Sequence, residues 1–234
     1  MNFKSVTFYI VFVLAIIFSA DTSAQLQKVT GKADYPFWLY LPADSIMKSK
    51  PPVVIFLHGR SLSGNDLNRV KKYGVIDAIE RGRNIPAIVI APQVRPGALW
   101  EPKRILSVLN YVQRNYKTDT SRVYVLGMSL GGSGTFSFAA AYPELIAGAV
   151  AIAGRANNND PCKLAKVNLW VMHGEKDFDV PLFNSTKIVD AMKKCKGGGE
   201  LKFTVYPEYN HSTITRVFQK DEIYEWLFKQ RKKH

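Results

Sequence analysis

Short apolar runs, each about the length of a strand and mostly set apart by helix-length stretches, constrain this chain more than any other feature. They run from Val53 to Leu57, Ala87 to Ala91, Arg122 to Leu126, Ala147 to Ala153 and Val167 to Met172. Runs this short, rich in β-branched residues and closed by glycine, proline or polar residues, read as strands buried on both faces. Between or after them the sequence predicts helices over about 74–80, 103–116, 130–141, 182–195 and 221–232, with further strands over 37–41 and 201–206. Continuous apolar strands alternating with helices imply an α/β fold, a mostly parallel sheet with helices on both faces. In open sheets of that kind, ligands bind outside the carboxyl ends of the strands. Residues that follow a strand closely are therefore the candidates for chemistry.

The chain has 234 residues, 47% of them apolar and 22% charged, enough for one domain to bury a core without metal or disulfide support. Its start reads differently. Lys4 precedes a largely apolar run from Val6 to Ala20, and Thr22-Ser23-Ala24 supplies small residues after it. This is the order of a secretory signal peptide over residues 1–24, leaving a single catalytic domain over 25–234. The apolar run is shorter than the ~20 residues that span a bilayer, so no stable membrane anchor is expected after cleavage. The net charge is +13, and a basic excess favours anionic partners in general. The charges are scattered in pairs such as Lys71-Lys72 and Lys193-Lys194, and only Lys229 to Lys233 resembles a tail. That pattern reads as a solvated basic surface, with no nucleic-acid partner.

Gly127-Met128-Ser129-Leu130-Gly131 lies between a strand and a helix of small residues. A Gly-x-Ser-x-Gly match alone is weak; placed there, it has the form of a nucleophile elbow, whose tight turn needs glycines around an exposed serine. The elbow calls for a histidine last in chain order. Of the four histidines, His58 lies where the first buried strand turns, His173 abuts Gly174 at the end of another, and His234 ends the chain. His211, in the loop after the last strand, is left as the general base. The acid comes from His173-Gly174-Glu175-Lys176-Asp177-Phe178-Asp179-Val180-Pro181, where spacing alone leaves Glu175, Asp177 and Asp179 open.

Leu57-His58-Gly59-Arg60, Gly127 to Gly132, His173 to Pro181 and His211 together resemble the carboxylesterase and phospholipase-like branch of the α/β-hydrolases, near the dienelactone-hydrolase and carbohydrate-esterase relatives. The resemblance extends over essentially all of 25–234. In such families two residues separate His-Gly from the acid and two more separate the acid from Val-Pro, which implies Asp177. Dienelactone hydrolases use a cysteine nucleophile, so Ser129 points to the esterase members. The resemblance further implies an oxyanion hole formed by the backbone N–H groups of Arg60 and Leu130, and an aromatic substrate contact at Trp100.

In this fold lids are commonly inserted after the strand placed at Ala147 to Ala153. Only Gly154 to Lys166 stands before the next strand, so no lid domain is expected. Cys162 precedes a strand at the edge where the helix ending at Cys195 finishes, so an oxidising compartment would permit a bridge between them. The expected activity is cleavage of a small-molecule or polysaccharide-linked carboxylic ester through an acyl-enzyme intermediate, with no metal or organic cofactor. The same triad would serve a peptidase of this fold. A non-catalytic binding module would account for the charge but not for the three ordered side chains.

Overall fold

The computed structural model describes residues 23–156 and 160–232; of the leader expected over residues 1–24, residues 1–22 lie outside the described residues. Eight strands form one sheet: β1 (Gln25–Val29), β2 (Phe37–Leu41), β3 (Val53–Leu57), β4 (Ile88–Pro92), β5 (Val123–Met128), β6 (Gly148–Ile152), β7 (Leu169–Gly174) and β8 (Leu201–Tyr206). Their order is β1-β2-β4-β3-β5-β6-β7-β8. The β1–β2 and β2–β4 pairs are antiparallel, and every pair from β4 to β8 is parallel.

Because side chains alternate across a strand, each central strand feeds two cores. Val53, Ile55 and Leu57 of β3 and Val123 and Val125 of β5 point to one side. Val54, Phe56, Tyr124 and Leu126 point to the other. The first side is covered by α3 (Pro102–Asn115), α4 (Leu130–Ala141), α5 (Pro161–Leu164) and α6 (Phe183–Met192). The second is covered by α2 (Val75–Glu80), α7 (Asp221–Lys229) and the 3-10 turn Thr213–Gln219. A further short helix, α1 (Asp44–Met47), buries no residue.

α3 shows how local sequence sets an element. Pro102 occupies its first turn, where the missing N–H costs nothing. Ile105, Val108, Leu109 and Val112 then recur every three or four residues and are buried against the sheet. The expected strand and helix bounds shift by one to three residues at most of these elements. The one strand the apolar pattern does not indicate is β1. Its QLQKV sequence is mostly exposed at the edge of the sheet and so carries no buried run.

Among the described residues only α5 interrupts the path from β6 to β7, so nothing of lid size covers the strand ends there. Cys162 of α5 is bonded to Cys195 just past α6, with a Cα–Cα distance of 5.1 Å. The disulfide ties together two elements on the same face of the sheet.

Candidate active site

β5 ends at Met128 and α4 begins at Leu130, leaving a single residue to reverse the chain. Ser129 does so with φ 59° and ψ −116°, a left-handed conformation that costs energy for any residue with a Cβ. Its N–H is held by the Ile152 carbonyl at 2.8 Å. The turn is possible because Gly127 and Gly131 carry no side chain. A Cβ on Gly131 would lie 1.8 Å from the Leu57 carbonyl oxygen, and one on Gly127 would lie 2.5 Å from that of Gly131. The strained serine thus stands at the head of α4, beside main-chain N–H groups without intrahelical partners.

His211 arrives on the loop after β8. Its Nε2 is 2.8 Å from Ser129 Oγ, and its Nδ1 is 2.7 Å from Asp177 Oδ2. In the resting arrangement the serine hydroxyl donates to Nε2 while Nδ1–H donates to the carboxylate. Neighbouring backbone bonds hold that loop in place. Asn210 Oδ1 accepts from the N–H groups of Ser212 and Thr213, and Ile214, Val217 and Phe218 of the following 3-10 turn are buried. Phe218 meets Phe56 of β3 edge to face at 5.3 Å.

Of the three candidate carboxylates, Asp177 is the one that meets the histidine. It is 3% exposed, and its Oδ1 accepts the Val180 N–H at 2.8 Å. Glu175 and Asp179 are exposed. A carboxylate oxygen of Asp179 nevertheless lies within 4.8 Å of ligand atoms of both Asp177 and His211. That trio has the donor types for a cation, but Asp177 and His211 are already engaged in hydrogen bonds with each other, with Val180 and with Ser129.

The other two histidines at strand ends are buried and occupied. His58 Nδ1 donates to the Gly59 carbonyl at 2.7 Å, and its Nε2 accepts from Val94 N–H at 3.2 Å. Burial lowers its pKa to about 4, so it is neutral at pH 7. His173 pairs with Ser185 Oγ at 2.6 Å and the Val180 carbonyl at 2.7 Å, and burial likewise lowers its pKa. Both are supports for the loops beside the site.

Ser129 and His211 open onto a cleft of about 1160 Å³. Arg60, Leu130 and Trp100 line it as well. Arg60 starts a 3-10 turn directly after Gly59, and Leu130 starts α4. Trp100 is only 5% exposed and also acts as a brace. Its Nε1 donates to the His58 carbonyl at 3.1 Å, and its ring meets the His58 ring edge to face at 4.9 Å. One lining residue has no signal in the sequence: Tyr73. Its hydroxyl accepts the Gly59 N–H at 3.0 Å and lies 3.3 Å from Ser61 Oγ. It belongs to no motif and reaches the site only because the segment before α2 folds back over the end of β3.

The sequence profile of the phospholipase/carboxylesterase family matches residues 104–227, more than half of the chain. Feruloyl esterase B of Neurospora crassa is 30% identical over 158 residues, covering 62% of this chain and 53% of that protein. Acetylxylan esterase A of Emericella nidulans is 27% identical over 152 residues, covering 57% and 48%. The chain therefore spans about half the length of the curated relatives it matches. Among solved structures, a thermostable esterase superimposes with a TM-score of 0.73 at 26% identity, over 88% of this chain and 63% of that one.

Proposed function

Since the chain belongs to the phospholipase/carboxylesterase family of the α/β-hydrolase fold, we propose that it is an exported serine hydrolase that cleaves carboxylic esters through an acyl-enzyme intermediate. One observation carries the reading: a single imidazole, His211, bonded through one nitrogen to Ser129 and through the other to buried Asp177. Ser129 Oγ attacks the ester carbonyl as Nε2 accepts its proton. Asp177 keeps Nδ1 protonated and stabilises the imidazolium that forms. His211 then returns the proton to the departing alcohol oxygen. Water activated by the same nitrogen attacks the acyl-serine and releases the acid.

The tetrahedral oxyanion needs donors fixed before it forms. The main-chain N–H groups of Leu130 and Arg60 supply them in this reading, and Tyr73 steadies the second by holding the preceding N–H. With no lid over the strand ends among the described residues and a cleft of about 1160 Å³, the site suits an ester attached to a larger body as well as a free one. The names of two relatives, a feruloyl esterase and an acetylxylan esterase, point to ester substrates, and acetylxylan is of the larger kind. Export is inferred from the leader-like sequence before Gln25 and agrees with the Cys162–Cys195 disulfide.

A fluorophosphonate probe tests the reading. The native protein is expected to be labelled and Ser129→Ala to be blank, with p-nitrophenyl acetate turned over and an aminoacyl anilide left intact. Equal labelling of Ser129→Ala in folded protein would remove the assignment of the nucleophile, and preferential anilide cleavage would move the enzyme to the peptidases.

A further inference from the structure

The cleft walls carry charges that ester cleavage does not require. Arg60, Lys72 and Arg155 line it, and Asp179 is the sole acidic side chain among the lining residues. The contrast with their neighbours is sharp. Lys71 is ion-paired with Glu80, and Lys176 pairs with Glu208 at 2.8 Å. Among the described residues, none of the three cleft cations has a carboxylate partner. Arg155 spends one guanidinium nitrogen on the Asp179 main-chain carbonyl at 2.9 Å, which fixes its direction while leaving other N–H groups free.

The three come from two walls. Arg60 and Lys72 flank segments clasped together by the Tyr73–Gly59 bond, and Arg155 follows β6, anchored by its N–H to Ser133 Oγ at 2.8 Å. The Asp179 carboxylate, within 4.8 Å of ligand atoms of Asp177 and His211, makes no ion pair with any of the three among the described residues. Cations of one sign lining a concave site focus their field into it and raise the local concentration of anions. Guanidinium forks also match carboxylates in shape.

We propose that this cleft selects esters bearing a carboxylate close to the scissile bond, on the acyl or on the alcohol side. The inference rests on the ester-hydrolase reading above, and gives a part of the +13 net charge a role in substrate choice.

Two ester pairs test it, each rate normalised to its hydroxide-catalysed rate. 4-Acetoxybenzoate against its methyl ester places the charge on the alcohol side. The monophenyl ester of adipic acid against phenyl hexanoate places it on the acyl side. At low salt the anionic member of at least one pair is expected to have the higher kcat/KM. That ratio should fall about two- to five-fold in Lys72→Gln and in Arg155→Gln, the range for a partly exposed charge pair. It should also fall in 0.5 M NaCl, where screening shortens to a few ångströms. Lys193→Gln, on the outside of the helix after β7, should leave the ratio where it was. No anionic preference in either pair, or one indifferent to salt and to both variants, overturns the proposal while leaving the hydrolase intact. No turnover of any of the four esters overturns both.

Discussion

Three histidines stand at strand ends, and hydrogen bonding rather than position separates their roles. His58 and His173 have both ring nitrogens committed to buried partners, whereas His211 bridges a serine and a carboxylate at the edge of a cleft. The same logic divides Asp177 from Asp179. Asp177→Asn should lower kcat about 10³- to 10⁴-fold, by loss of the correct tautomer, while Asp179→Asn should cost less than about tenfold. Steady-state kinetics on p-nitrophenyl acetate separates the two, and equal losses would show that the exposed carboxylate shares the task. Tyr73→Phe removes the acceptor for Gly59 N–H and should lower kcat roughly tenfold with KM little changed, since it loosens a support for the proposed oxyanion donors. A change in KM alone would place Tyr73 in binding instead.

The buried histidines also set a pH dependence. Burial holds His58 at about 4 against an ordinary value near 6.5, so between these pH values the unfolded chain binds a proton that the folded one refuses. Stability is complete above about pH 6.5 and falls as pH drops toward 4, by up to about 3 kcal/mol from His58, with His173 acting in the same direction. Urea denaturation at pH 7.5 and 4.5 measures this, and a midpoint unchanged between the two would contradict it.

At the scale of elements, the strand-turn-helix from β5 through α4 is where local sequence and tertiary packing meet. Gly-x-Ser-x-Gly was legible as a turn, but why it needs glycine is a matter of β3 lying alongside. Gly131→Ala would drive a methyl group into the Leu57 carbonyl, so it should destabilise by more than about 3 kcal/mol or abolish soluble expression. Thermal melting of the purified variant checks this, and a native-like melting temperature would mean the two elements can separate freely. The 3-10 turn Thr213–Gln219 had no helical period long enough to be seen in sequence. Its Ile214, Val217 and Phe218 are buried by packing on the sheet, and that packing steadies the His211 loop.

For the molecule as a whole, the Cys162–Cys195 bridge closes a segment of 33 residues and joins α5 to the end of α6. Chain-entropy arguments give such a loop roughly 3–4 kcal/mol, so reduction should lower Tm by about ten degrees in a domain of this size. Calorimetry with and without reductant reads it directly; an unchanged Tm would mean the bridge is redundant with the packing between α5 and α6.

By itself, the sequence determined the layering: continuous apolar strands require cover on both faces, and helices of matching period supply it. It also determined where chemistry could stand, since polar and glycine residues closing those strands share one rim. Spacing left the carboxylate open, and only the family resemblance pointed to Asp177. Its contact with His211, which histidines are spent on structure, and that Tyr73 and three cations without a carboxylate partner among the described residues face the same cleft were decided by the tertiary structure. These depend on burial and on distances between segments far apart in the chain, and neither is encoded in local pattern. A strand announces its neighbours through hydrophobic period; a loop residue acquires its partner only when the sheet is assembled.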